Sequence, residues 1–202
     1  MNTQTSMTNQ PSPSPGQSPG QSPGSAPSSA NPSFALRACT TFGLGYLRPA
    51  SGTWGSMPPA AIAGVLLLAS APAWAITLTM AVIAIAFTWA CIAGGDEAEA
   101  RFNRKDPGQV VADETAGMAL AMLWLPAQAF DSPQIAIFTL VLCFLVFRIL
   151  DILKPWPING LQRIPGGWGI VIDDLLAGLL TLGIVHAAAW ANAQRIASQL
   201  GT

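Results

Sequence analysis

The sequence predicts an all-α fold: an integral membrane helical bundle with four or five membrane-embedded helices, preceded by a disordered N-terminal tail. Three observations carry that prediction. Apolar residues make up 51% of the 202-residue chain and charged residues only 9%, against about a quarter charged in soluble domains. Several apolar runs approach or reach the ~20 residues that cross a ~30 Å hydrocarbon layer as a helix. The charged residues are gathered between those runs rather than scattered through them.

Residues 1–33 are almost wholly Pro, Ser, Gly, Gln, Asn and Thr, with too little apolar surface to offset the entropy of ordering. They are expected to form a disordered tail, and residues 34–202 a single membrane-embedded domain. No charged segment followed by an apolar stretch and a small-residue cleavage site marks a signal peptide there. Gly43, Gly45, Gly52, Thr53, Gly55 and Ser56 form a glycine-rich stretch expected as a loop, a composition that can turn backbone N–H groups toward an anion or simply let helices pack closely. Pro59 to Ala71 is apolar but short, either a short span or a re-entrant segment before Pro72. Ala73 to Gly94 carries no charge and is the clearest span. Thr115 to Ala129 is a candidate short span, turning at Asp131, Ser132 and Pro133 into a further apolar run from Gln134 to Phe147. Leu175 to Trp190 is the last run.

Nine Lys and Arg stand against ten Asp and Glu, a net charge of −1, which offers no basic surface for nucleic acid. Basic residues cluster at Arg37 and Arg48, at Arg101, Arg104 and Lys105, and at Arg148, Lys154 and Arg163, and the positive-inside rule makes these clusters cytoplasmic. The carboxylates share those segments, apart from Asp131. The expected location is therefore a cytoplasmic membrane, with the polar chemistry facing the cytosol. Cys39, Cys91 and Cys143 lack the spacing of a disulfide or zinc framework and read as packing residues. His186, the single histidine, reads likewise as a packing or interface residue.

Asp113 with Glu114, Asp151, and Asp173 with Asp174 all abut apolar runs. An unpaired ionised side chain at membrane depth costs at least about 2.5 kcal/mol, so such groups pair, line a wet cavity or bind a cation. Carboxylates without His or thiol neighbours suit a hard cation, and Mg²⁺ best. The bland alternative makes each acid a helix N-terminal cap or ion-pair partner; three such sites in three segments favour the metal. Arg148, Asp151 and Lys154 are spaced to share one helical side before Pro155 and Pro157 stop the helix. Two cations flanking a carboxylate can hold a phosphate, although a snorkelling pair with an internal salt bridge has the same spacing. The sequence has no Cys-x5-Arg loop, no Asp-x-Asp start, no second histidine and no paired-Asp phosphotransferase motif, which removes four other phosphoryl-transfer mechanisms.

Four blocks then resemble, in order, those of the phosphatidylglycerophosphatase A family. They are Gly43 to Ser56 with Gly-Thr-Trp-Gly-Ser, Asp106 to Gly117 with Val-Ala-Asp-Glu-Thr-Ala-Gly, Phe147 to Ile158 with Phe-Arg-Ile-Leu-Asp-Ile-Leu-Lys-Pro-Trp-Pro, and Gly166 to Gly178 with Val-Ile-Asp-Asp-Leu-Leu-Ala-Gly. Ser51 departs from the Pro common in the family before Gly-Thr. The resemblance implies Mg²⁺-dependent hydrolysis of phosphatidylglycerophosphate to phosphatidylglycerol and phosphate. It matches Asp113, Glu114, Asp151, Asp173 and Asp174 to the acidic motif positions, expected as catalytic residues and metal ligands, and Arg148 and Lys154 to the basic ones. With Gly52, Thr53 and Ser56, those two cations are the expected phosphate-binding residues, acting on a phospholipid in the cytoplasmic leaflet. Either metal-activated water or a carboxylate is the nucleophile. A small transporter with an acidic ion path and a phosphatase of another lipid phosphomonoester, such as phosphatidate, are the competing functions. Within each acid pair, neighbours on a helix point about 100° apart. Asp113 and Asp174 each precede a glycine by four residues, so these two are expected to face the shared cavity, with Glu114 and Asp173 completing the shell from the side or through indirect contacts.

Overall fold

The structure, a computed structural model, describes residues 31–154 and 166–200. Residues 1–30 of the tail expected over 1–33, the helix stop at Pro155 and Pro157, and Arg163 lie outside the described residues. The described chain is all helical: α1 (Phe34–Cys39), a 3₁₀ segment (Thr41–Tyr46), α2 (Ser51–Leu68), α3 (Ala73–Phe102), α4 (Ala112–Ala121), a second 3₁₀ segment (Ala127–Phe130), α5 (Pro133–Leu153) and α6 (Gly166–Leu200). Three of these, α3, α5 and α6, are long and apolar enough to cross a membrane.

The glycine-rich stretch differs from the loop expected of it. Gly52, Gly55 and Ser56 are buried in the first turns of α2. The helix persists past Pro59 because a side chain stands in for a missing backbone donor. Pro59 has no N–H to give to the carbonyl of Gly55 four residues earlier, and the Thr115 hydroxyl donates to that carbonyl instead, at 2.8 Å. Ser56 Oγ donates to the carbonyl of Gly52 at 2.9 Å.

Helix α3 runs past Gly94 through the charged turn to Phe102 and stops where Asn103 adopts a left-handed conformation at φ 47°. Ala, Glu and Arg are strong helix formers, so loss of hydrophobicity does not end a helix by itself. At 1.5 Å per residue its 30 residues span about 45 Å, more than the hydrocarbon layer needs. The candidate span from Thr115 shrinks to the 10-residue α4, about 15 Å long and too short to cross alone. Pro126 then enforces extended backbone, and the chain continues through the 3₁₀ segment. Ser132 caps α5, its hydroxyl accepting from the Ile135 N–H, with Pro133 in the first turn.

Small residues set the closest approaches. A Cβ on Gly167 would stand 2.0 Å from the Cys91 carbonyl oxygen, and one on Gly178 would stand 2.2 Å from that of Gly117. So α6 touches α3 and α4 backbone to backbone, and the α4–α6 contact is the most extensive in the fold. Chain direction alternates through these contacts. Ser51, Phe102, Asp113, Leu153 and Gly166 all lie toward one end of the bundle, and Leu68, Phe130 and Pro133 come together at the other. All three cysteines are free and buried, and Cys39 Sγ donates to the Ala90 carbonyl at 2.9 Å.

Candidate metal centre

Helix α4 delivers Asp113 and Glu114 in its first turn, and α6 delivers Asp174 from its third. The two helices meet at Gly117 and Gly178, one turn beyond each acid, so the glycine crossing draws the carboxylates together. One oxygen from each of Asp113, Glu114 and Asp174 lies within 4.8 Å of the others. Asp113 Oδ1, Glu114 Oε2 and Asp174 Oδ2 are buried and accept no hydrogen bond among the described residues. Three oriented carboxylate oxygens without donors are costly unless a cation joins them. The donor set is all oxygen, which suits a hard cation such as Mg²⁺.

Electrostatics in α4 agree. Burial first, and then the neighbouring Glu114, hold Asp113 well above the usual carboxylate range. Burial pushes Glu114 up to about 8, with a hydrogen bond from Asp113 opposing the rise. Without a cation the pair favours protons; with one, it favours the ionised state.

The remaining site candidates sort into two ion pairs beside the cluster. Arg148 Nη1 donates to Asp151 Oδ2 at 2.6 Å and reaches Ser56 Oγ at 3.5 Å. Lys154, at the left-handed C-terminal cap of α5, donates to Asp173 Oδ2 at 2.5 Å. Burial opposes the Lys154 charge, but the Asp173 carboxylate outweighs it and keeps the ammonium pKa above its ordinary range. Asp173 Oδ1 also accepts the Asp174 N–H at 3.2 Å. Among the described residues Asp151, expected between Arg148 and Lys154, therefore forms a salt bridge with the first alone, and Lys154, in a left-handed conformation, pairs with Asp173 of α6.

Gly52 is the contact of α2 with this centre. A Cβ there would lie 2.3 Å from Glu114 Oε1 and 2.9 Å from Arg148 Nη2. Ser56 is fully buried one turn further on, whereas Thr53 is only half-buried and makes no hydrogen bond through its side chain among the described residues.

A family model described as phosphatidylglycerophosphatase A matches residues 37–189. The chain belongs to the phosphatidylglycerophosphatase A family. A phosphatidylglycerophosphatase A of Haemophilus influenzae is 32% identical over 72% of this chain and 83% of its own length. The Escherichia coli protein of that name is 39% identical over 40% of this chain and 44% of its own length. A Bacteroides thetaiotaomicron protein provisionally named a phosphatidylinositol-3-phosphatase is 32% identical over 75% of this chain and 91% of its own. No solved structure matches the chain.

Within this family member, sequence reasoning missed Thr115 and Thr41. Thr115 Oγ1 is within hydrogen-bonding distance of the Gly55 and Val111 carbonyls and lies 3.0 Å from Thr41 Oγ1. It thereby ties α2 to α4 immediately behind Glu114. The signal was present: Pro59 orphans the carbonyl of Gly55, which some donor must satisfy.

Proposed function

We propose that this chain is a Mg²⁺-dependent phosphatase that hydrolyses phosphatidylglycerophosphate to phosphatidylglycerol and phosphate, at the cytosolic face of a bacterial inner membrane. The observation that carries the proposal is the trio of buried, donor-free carboxylate oxygens of Asp113, Glu114 and Asp174. Family membership supplies the lipid. The lipids named for the relatives carry both a monoester phosphate, which is removed, and a diester phosphate, which stays.

In this reading Asp113, Glu114 and Asp174 hold the cation. Bound Mg²⁺ supplies positive charge against the phosphoryl oxygens and activates water. Asp151 fixes Arg148 through Nη1, so that Nη2, beside the bare Cα of Gly52, donates to a phosphoryl oxygen. The absence of a side chain at Gly52 is what lets Glu114 and Arg148 come this close to α2. Asp173 orients Lys154, whose ammonium retains two further protons to donate. The bond from phosphorus to the glycerol oxygen breaks; water contributes its hydroxyl to the phosphate and its proton to the glycerol. Either water attacks directly or a carboxylate attacks and water then releases it.

Phosphate release from phosphatidylglycerophosphate, phosphatidylinositol-3-phosphate and phosphatidate in detergent, with Mg²⁺ and with excess EDTA, tests the proposal. Turnover of phosphatidylglycerophosphate that needs Mg²⁺ supports it. Undiminished turnover in EDTA removes the metal, and preference for another lipid removes the substrate.

A further inference from the structure

A cavity of about 370 Å³ opens beside the first turn of α2, lined by Arg48, Ser51, Arg104 and Gln109 among others. Its two arginines come from separate segments, one before α2 and one after α3, and no carboxylate lines it. Both side chains are exposed, and neither forms a salt bridge among the described residues. Asp106 acts on Arg104 through its charge without reaching salt-bridge distance. Helix α2 begins here with no side-chain cap, so its first backbone N–H groups add to the positive field. Ser51 Oγ is turned away to the Gly108 carbonyl at 2.7 Å, which fastens the cavity wall to the segment ahead of α4. The neighbouring residue, Gly52, faces Glu114 and Arg148. One turn of helix thus has the acidic centre on one side and a cationic cavity on the other.

We propose that this cavity binds the diester phosphate of a lipid whose monoester phosphate lies at the acidic centre, with Arg48 and Arg104 as its ligands. The proposal rests on the phosphatase reading above. A diester carries a single negative charge and no group that hydrolysis at the centre removes, so it needs only donors and positive charge, which the cavity supplies. A short polyol bridge joins the two phosphates of such a lipid, and the adjacent residues Ser51 and Gly52 border the cavity and the centre in turn. Phosphatidate, which lacks the diester, gains nothing from the cavity, and the subsite is therefore a specificity device.

The test compares wild type with Arg48→Ala, Arg104→Ala and the corresponding Lys variants. Two readouts are taken: kcat and KM on phosphatidylglycerophosphate and phosphatidate, and binding of a short-chain phosphatidylglycerol to the metal-free protein. Each alanine variant is expected to raise KM for the two-phosphate lipid about tenfold with kcat nearly kept, to lower selectivity over phosphatidate in proportion, and to weaken phosphatidylglycerol binding similarly. The lysine variants recover part of each loss. Equal KM changes on both lipids, or unaltered phosphatidylglycerol binding, would overturn the subsite. Inorganic phosphate displacing phosphatidylglycerol at equal concentration would overturn its assignment to a lipid. If wild type releases phosphate from neither lipid, the phosphatase reading fails, and phosphatidylglycerol binding alone then decides the subsite.

Discussion

Asp173 and Asp174 are adjacent, yet their surroundings differ. Asp174 has a buried oxygen with no donor, while Asp173 is engaged by Lys154 and by the Asp174 N–H. The isosteric Asp→Asn change separates them. Asp113→Asn and Asp174→Asn should each reduce kcat/KM by more than about a hundredfold and weaken Mg²⁺ dependence, whereas Asp173→Asn should cost nearer tenfold, the scale for groups that orient ligands. Steady-state kinetics at several Mg²⁺ concentrations checks this, and an Asp173 variant damaged more than Asp174 would reverse the assignment. Glu114 provides a pH test. Its folded pKa, raised from 4.5 to about 8, makes its contribution to stability fullest below about 4.5 and lost as pH rises through about 8. The melting temperature of EDTA-treated protein should therefore fall across that window, and saturating Mg²⁺, which binds the ionised form, should remove the fall. The pairing of Asp113 with Asp174 was legible from the glycines four residues on. Glu114 was expected to complete the shell from the side, and its oxygen lies in the cluster; the place of Asp173 outside the cluster was not legible, because it depends on where Lys154 leaves α5.

At the scale of elements, two contacts hold the acids in register. The Gly117–Gly178 crossing admits no side chain: Gly178→Ala would put a Cβ 2.2 Å from a backbone oxygen that cannot rotate away. That variant should lose most activity and several degrees of melting temperature, since moving α6 displaces Asp174. The Thr115 bond to the carbonyl of Gly55 is the other contact. Thr115→Val keeps the shape but leaves that buried carbonyl without its donor, at a cost of about 1–3 kcal/mol. Chemical denaturation in detergent measures it, and an unchanged midpoint would mean the carbonyl finds another partner. Helix identity was legible from apolar runs. Helix ends were not: α3 and α6 continue into polar sequence, where propensity and packing outlast hydrophobicity, and α2 begins inside a glycine-rich stretch that reads locally as loop.

For the molecule as a whole, the alternating chain directions put Lys105 at the end bearing the carboxylates and Ser70 at the opposite end. If the acidic end faces the cytosol, a cysteine at Lys105 should react only with reagent supplied from inside, and one at Ser70 only from outside. All three native cysteines are buried, so a background reaction is not expected to obscure the result. Reversed labelling would turn the bundle over and remove the cytosolic site.

By itself the sequence determined that the chain is helical and membrane-embedded, which residues carry its charge, and which family its motifs resemble. Those properties follow from composition, from the period of a helix and from order along the chain. Only the tertiary structure decided that three carboxylate oxygens share one buried place while two others are neutralised by Arg148 and Lys154. It also decided that α2 presents a bare glycine to that place, while Arg48 and Arg104, from the segments before α2 and after α3, line the cavity beside it. The physical reason is that these are relations between α2, α4, α5 and α6, set by how closely their glycines let backbones approach, and no single segment contains them.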